Sequence, residues 1–154
     1  MTTLRQLDTP SKQLELIHAR CFDEGWSSGF FADLLIKPHH RTYVFDKNGN
    51  IVSFVVMSLV AGEGEILTIA TDPDFQKQGL ARRLLEQVIY TLRLEGSEAL
   101  FLEVAVDNTA ALRLYEACGF QKAGLRKAYY TSRHAPPVDA HILRLALRPA
   151  TPYI

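Results

Sequence analysis

Cysteine, tryptophan and methionine are scarce in this chain of 154 residues, which has two, one and two of them. Two distant cysteines, Cys21 and Cys118, exclude a disulfide framework and a cysteine-built metal site, and both read as small buried hydrophobes. Net charge is also lacking: 17 basic residues face 17 acidic ones. Nothing here coats nucleic acid non-specifically, and any anionic ligand must be held by a local device. Long apolar runs are missing too. The longest, Ile51 to Ala61, is broken by Ser53 and Ser58 and is too short to span a bilayer. The amino end, Met1 to Asp8, lacks the basic-then-apolar pattern of a signal peptide. No repeat or linker divides the sequence. The expectation is one domain over residues 1–154 in the cytoplasm, with no membrane, nucleic-acid or metal partner.

What is present is an ordinary globular mixture, 47% hydrophobic and 22% charged. Thr9-Pro10 predicts the start of a helix bearing Leu14, Ile17 and Cys21. Ser27 or Ser28 opens a second, carrying Phe30, Phe31, Leu34 and Leu35 and ending before Pro38. Thr42–Lys47 and Ile51–Val60 flank Asn48-Gly49, a strong hairpin signal. A Gly-Glu-Gly turn at 62–64 leads to a strand from Glu65 to Thr71. Leu80, Leu84, Leu85, Val88, Ile89 and Leu92 then recur at helical spacing up to Gly96. Ala99–Val106 reads as a strand with Leu100, Leu102, Val104 and Val106 on one face and Phe101, Glu103 and Ala105 on the other. Asp107-Asn108 cap a short helix with Ala111, Leu114, Tyr115 and Cys118, stopped by Gly119. Two more strands fill 124–147, joined by Ser132 to Pro137. This order predicts an α/β (α+β) fold, a mixed, mostly antiparallel twisted sheet with helices on both faces.

The local anion device is Gln76-Lys-Gln-Gly-Leu-Ala-Arg-Arg, between a strand and an amphipathic helix. Gly79 permits a tight turn and close backbone approach, and the free first-turn amides and helix dipole favour phosphate. Lys77, Arg82 and Arg83 add positive charge. A glycine at a helix start with a solvated basic edge has the same pattern. The segment lacks the spacing of a P-loop or a dinucleotide fingerprint, so nucleotide hydrolysis and hydride transfer are poor fits.

Taken together, Ile69-Ala-Thr-Asp-Pro-Asp-Phe-Gln-Lys-Gln-Gly-Leu-Ala, Leu102-Glu-Val, Asn108-Thr-Ala-Ala, Leu114-Tyr-Glu-Ala-Cys-Gly-Phe and Tyr129-Tyr130 resemble the GNAT N-acetyltransferases. Within them the RimI group, which acetylates the N-terminus of a bacterial ribosomal protein, is the most similar. The chain departs from the pattern at Ala81, where glycine is more usual, and at Ala105, where relatives tend to carry a basic residue. The resemblance implies that acetyl-CoA lies between two splayed parallel strands. Backbone groups of Ile69, Ala70 and Thr71 would meet its pantetheine and thioester. Amides of Lys77, Gln78, Gly79, Leu80, Ala81 and Arg82 would cradle its pyrophosphate, with Asn108 contacting it from the next helix.

The same resemblance makes Glu103 the general base, directly or through water, and Tyr115 the general acid for the leaving thiolate. From pattern alone Glu103 is equally a solvated edge residue, whereas a tyrosine placed like Tyr115 more commonly only packs. A semi-buried Glu would have its pKa pushed upward, towards the range useful for a base. About a quarter of a peptide α-amine is neutral at cytoplasmic pH, against about a thousandth of a lysine amine, so an α-amine asks less of the base. Trp26, Tyr129 and Tyr130 are candidate acceptor contacts, with Asp23 and Glu24 as an acidic rim that favours a basic N-terminal segment. A partly buried anchor is the commoner role for a residue placed like Trp26. His39, His40 and His134 read as exposed loop residues. Three functions stay open: acetylation of a protein N-terminus, of a ribosomal protein in the first instance; acetylation of a small amine or amino acid; and a silent acyl-CoA-binding module.

Overall fold

In the computed structural model, residues 2–132 and 135–148 are described. In chain order they form β1 (Thr2–Leu7), α1 (Lys12–Cys21), α2 (Ser28–Ile36), β2 (His40–Lys47), β3 (Asn50–Val60), β4 (Glu63–Thr71), a 3-10 turn at Pro73–Phe75, α3 (Leu80–Leu94), β5 (Ala99–Ala105), α4 (Thr109–Ala117), β6 (Gln121–Ser132) and β7 (Ala135–Ala146). The strands make one sheet in the order β1-β2-β3-β4-β5-β7-β6. Every neighbouring pair is antiparallel except β4 with β5. Leu80, Leu84, Leu85, Val88, Ile89 and Leu92 of α3 join Leu100, Leu102 and Val104 in the larger core on one face. Leu14, Ile17, Phe31 and Leu34 of α1 and α2 build the smaller core on the other.

Local chemistry accounts for most boundaries. Asn48 and Gly49 both have positive φ, as a two-residue hairpin turn requires. The next turn is Ala61-Gly62, also at positive φ, so β4 starts two residues earlier than the glycine pattern suggests. Ser11, not Thr9, caps α1 by accepting the Gln13 amide. Val106 lies past the end of β5 and is exposed. The polar amino end forms β1, which sequence pattern did not reveal. An edge strand needs little burial, and here an Arg5–Asp46 ion pair joins it to β2. The predicted turn at 132–137 falls partly outside the described residues.

One irregularity shapes the molecule. β4 pairs with β5 only at Glu63–Ala99, Gly64–Leu100 and Glu65–Phe101. At the middle contact the chain is tight: a Cβ on Gly64 would sit 2.9 Å from both Leu100 and Met57 side chains. Immediately beyond, the register of β3 against β4 slips between Val56 and Met57, leaving Leu67 as an extra residue. Such a bulge bends its strand and resets the alternation of faces. Ile66 and Ile69 accordingly both face the larger core, while Leu67 and Ala70 face the smaller one. β5 stays paired to β7 through Ala105. The two parallel strands therefore diverge with facing edges open.

Candidate active site

The gap opens into a cleft of about 980 Å³ bounded by β4, β5, the start of α3, α4, the α1–α2 loop and Tyr130. That volume suits a large ligand. Of the predicted site residues, Trp26, Ile69, Ala70, Thr71, Lys77, Gly79, Leu80, Ala81, Arg82, Glu103, Asn108, Tyr115 and Tyr130 line it. Gln78 and Tyr129 are not in its wall.

The end of the cleft at α3 is made of main chain. Lys77 (φ +62) and Gly79 (φ +75) are both left-handed, and Gly79 caps α3 without a side-chain hydrogen bond. A Cβ on Gly79 would meet nothing within 4 Å, so it is the backbone conformation and the open side of the turn that favour glycine. Successive amides in such a turn form an anion-binding concavity at the positive end of the helix. Lys77 and Arg82 are exposed beside it, Arg82 paired to Glu86 at 2.7 Å. Arg83 turns away, donating to Thr2 Oγ1 at 3.0 Å and lying over Phe45, so it does not join the anion device.

On β4, Asp72 N–H donates to the Val52 carbonyl beside the Ser53–Thr71 pair. Antiparallel alternation then turns the amide and carbonyl of Ala70 toward β3, and those of Ile69 and Thr71 toward the gap. The Thr71 carbonyl already accepts from Gln76 Nε2 at 3.1 Å and from Cys21 Sγ at 3.3 Å. Ala70 thus lines the cleft with its backbone committed elsewhere, and Ile69 has the freest peptide groups. Asn108 caps α4 through its Oδ1, which accepts the Ala111 amide at 3.2 Å and leaves its NH2 group free for a ligand.

The opposite end is made of side chains. Glu103, 17% exposed, projects from β5 on the face away from Leu102 and Val104. Its Oε1 accepts from Arg126 Nη1 at 2.7 Å, while its Oε2 is buried with no partner among the described residues. The Tyr130 hydroxyl donates to the Glu103 carbonyl at 3.1 Å. Tyr129 packs edge-on against Tyr130, and the neighbouring Glu103 carboxylate pushes its phenol up. Tyr115 is buried beside Phe120, and burial pushes its phenol well above the usual range. It therefore keeps its proton at any working pH.

Arg126 and His18 escaped sequence reasoning. His18 is buried between Phe22 and Trp26, with centroids at 4.3 and 4.8 Å, and its Nδ1 accepts the Trp26 amide at 3.1 Å. Burial lowers its pKa to about 4. It anchors Trp26, which is half-buried in the cleft wall, while Asp23 and Glu24 are exposed in the same loop. His39 is exposed, but His40 is half-buried within β2, because that strand starts earlier than predicted. His134 lies outside the described residues.

Residues 11–120 match the acetyltransferase (GNAT) family. The chain belongs to that family. This GNAT enzyme is an acetyl-CoA-dependent N-acetyltransferase, and the left-handed turn, uncapped helix end and open strand edges suit that co-substrate. It is 36% identical over 148 residues to the [ribosomal protein bS18]-alanine N-acetyltransferase of Escherichia coli K12, covering 96% of this chain and 99% of the relative. It is 35% identical over 126 residues to the N-alpha-acetyltransferase RimI of Mycobacterium tuberculosis, covering 79% and 76%. The crystal structure of the E. coli ribosomal-protein-S18-alanine N-acetyltransferase superposes with a TM-score of 0.91 at 34% identity, covering 100% of this chain and 99% of that one. A spermidine N-acetyltransferase chimera shares the fold, with a TM-score of 0.76 at 24% identity. Among the described residues no group of side chains could hold a metal ion, and no helix is long and apolar enough to cross a membrane.

Proposed function

We propose that this GNAT enzyme acetylates the N-terminal α-amine of a protein, with ribosomal protein bS18, named for its near-full-length relatives, as the first acceptor to test. The observation that carries the chemistry is Glu103, a half-buried carboxylate at the open edge of β5 with one buried oxygen unpartnered among the described residues.

The neutral amine attacks the thioester carbonyl; the N–C bond forms and the C–S bond breaks. Glu103 takes the amine proton, directly or through one water, and Tyr115 gives its proton to the departing thiolate. The Ile69 amide, turned into the gap, is placed to stabilise the tetrahedral oxyanion. The amides from Lys77 to Arg82 hold the pyrophosphate, with Asn108 on the same ligand. Trp26 and Tyr130 border the acceptor, with Tyr129 packed against Tyr130. Direct attack fits the thiols present: burial pushes both Cys21 and Cys118 up, away from the thiolate form a nucleophile needs.

The test is a panel of acceptors assayed with acetyl-CoA: a peptide with the bS18 N-terminus, unrelated N-terminal peptides, polyamines and free amino acids. The reading expects the highest kcat/KM on N-terminal peptides. Turnover of small amines alone would overturn it, and binding of acetyl-CoA without turnover of any acceptor would mark a silent acyl-CoA-binding module.

A further inference from the structure

The two oxygens of Glu103 are treated differently by the fold. Oε1 is held at 2.7 Å by Arg126, whereas Oε2 is buried without a partner among the described residues. A buried anionic oxygen left unpaired is costly, and its presence calls for a donor that arrives with a ligand.

Arg126 does not come from a neighbouring strand. β7 lies between, with Ile142 facing Glu103 on one side and Gly124 on the other. The arginine reaches across β7, and its backbone is set up to do so. Between the pairs Arg126–Ala140 and Tyr130–Val138, β6 has three residues where β7 has one. In this detour Ala128 takes a left-handed conformation (φ +52), and its amide donates to Asp139 Oδ1 at 2.8 Å. The detour also brings the Tyr129 ring under the guanidinium, 4.8 Å away. Hydrogen-bonded on one side and stacked on another, the planar fork of Arg126 has little freedom left.

We propose that Arg126 is the positioning residue of the reaction. By binding Oε1 it fixes the plane of the Glu103 carboxylate and keeps Oε2 for the N–H of the acceptor, or for the one water that relays its proton. Arg126 itself stays protonated throughout and transfers nothing. This rests on the reading of Glu103 as general base. A merely structural role is the competing account, and it is a weak one, because Arg126 is 52% exposed and half-exposed ion pairs contribute little to folding.

Steady-state kinetics of the full chain with an N-terminal peptide separates the two. Arg126→Met is expected to lower kcat about tenfold or more, since a small misplacement of a reacting group is enough for that. The acetyl-CoA KM and the melting temperature should hardly move. Arg126→Lys, which keeps the charge but not the fork, should recover part of the loss. In a Glu103→Gln background Arg126→Met should cost nothing further, because the carboxylate it positions is already gone. A kcat for Arg126→Met close to that of the parent would overturn the inference, as would a loss that multiplies that of Glu103→Gln. If Arg126→Met does not fold, Arg126→Gln is measured in the same way. Glu103→Gln at the parental rate would remove the base reading and this inference with it; a slow Glu103→Gln beside an unaffected Arg126→Met would remove this inference alone.

Discussion

Around Gly79 the cleft is walled by main chain, with two left-handed residues, an uncapped helix end and the open edge of β4. Around Glu103 it is walled by side chains from three separated stretches, Trp26, Glu103 itself and Tyr130, with Arg126 bonded to Glu103 from outside the wall. A backbone site asks for a conformation at a few positions and tolerates change elsewhere. A side-chain site asks for several residues to meet, and any of them can be exchanged to alter what is accepted. The first kind suits a co-substrate that never varies, the second an acceptor that does.

The sharpest way to break this contrast is at Glu103. Removing the proposed base while keeping its shape, as in Glu103→Gln, should lower kcat about 10²- to 10⁴-fold. The dissociation constant for acetyl-CoA, measured by calorimetry, should stay within about twofold, a shift of under ~0.5 kcal/mol. Lost co-substrate affinity at a preserved kcat would show that the two ends are not separate. The complementary change is Gly79→Val. A β-branched residue is strained at positive φ, and its side chain would project from the turn that faces the ligand. Acetyl-CoA affinity should fall about tenfold, or ~1.4 kcal/mol, while kcat at saturation is kept. A variant whose kcat collapses at unchanged affinity would refute the backbone assignment.

The same contrast decided how much could be read in advance. The turn at Gly79 and helix α3 were legible, because a backbone device needs contiguous residues and α3 repeats its apolar face at helical spacing over fifteen residues. Alternation placed Glu103 on the face opposite Leu102 and Val104, but only the family resemblance marked it as a candidate base. Arg126 was not legible, since β6 slips register between Lys122 and Gly124 and again between Arg126 and Tyr130. Each slip resets which face a residue points to, so alternation cannot be carried along the strand. The bulge at Leu67 likewise hid which peptide groups of β4 face the gap. β1 was missed because an edge strand can be almost as polar as a loop.

The smallest effect expected comes from His18, which braces Trp26 at the proposed acceptor end. Its pKa is about 4 in the folded protein against an ordinary 6.5, because it is buried as a neutral ring. Between those values the unfolded chain binds the proton that the folded chain refuses, so stability is complete above about pH 6.5 and is lost as pH falls toward 4. For one group the linkage amounts to on the order of 1–2 kcal/mol between pH 7 and pH 5. Protonation also occupies Nδ1, which must be free to accept the Trp26 amide. His18→Asn keeps an acceptor at that position but cannot titrate. Its melting temperature should be lower than the parent's at pH 7 through lost packing, yet fall less between pH 7 and pH 5, by about 2–8 °C for a domain of this size. Equal slopes for the two proteins would mean that His18 does not set this part of the pH dependence. A weaker KM for the peptide with unchanged acetyl-CoA affinity in His18→Asn would place the loop it braces at the acceptor end alone.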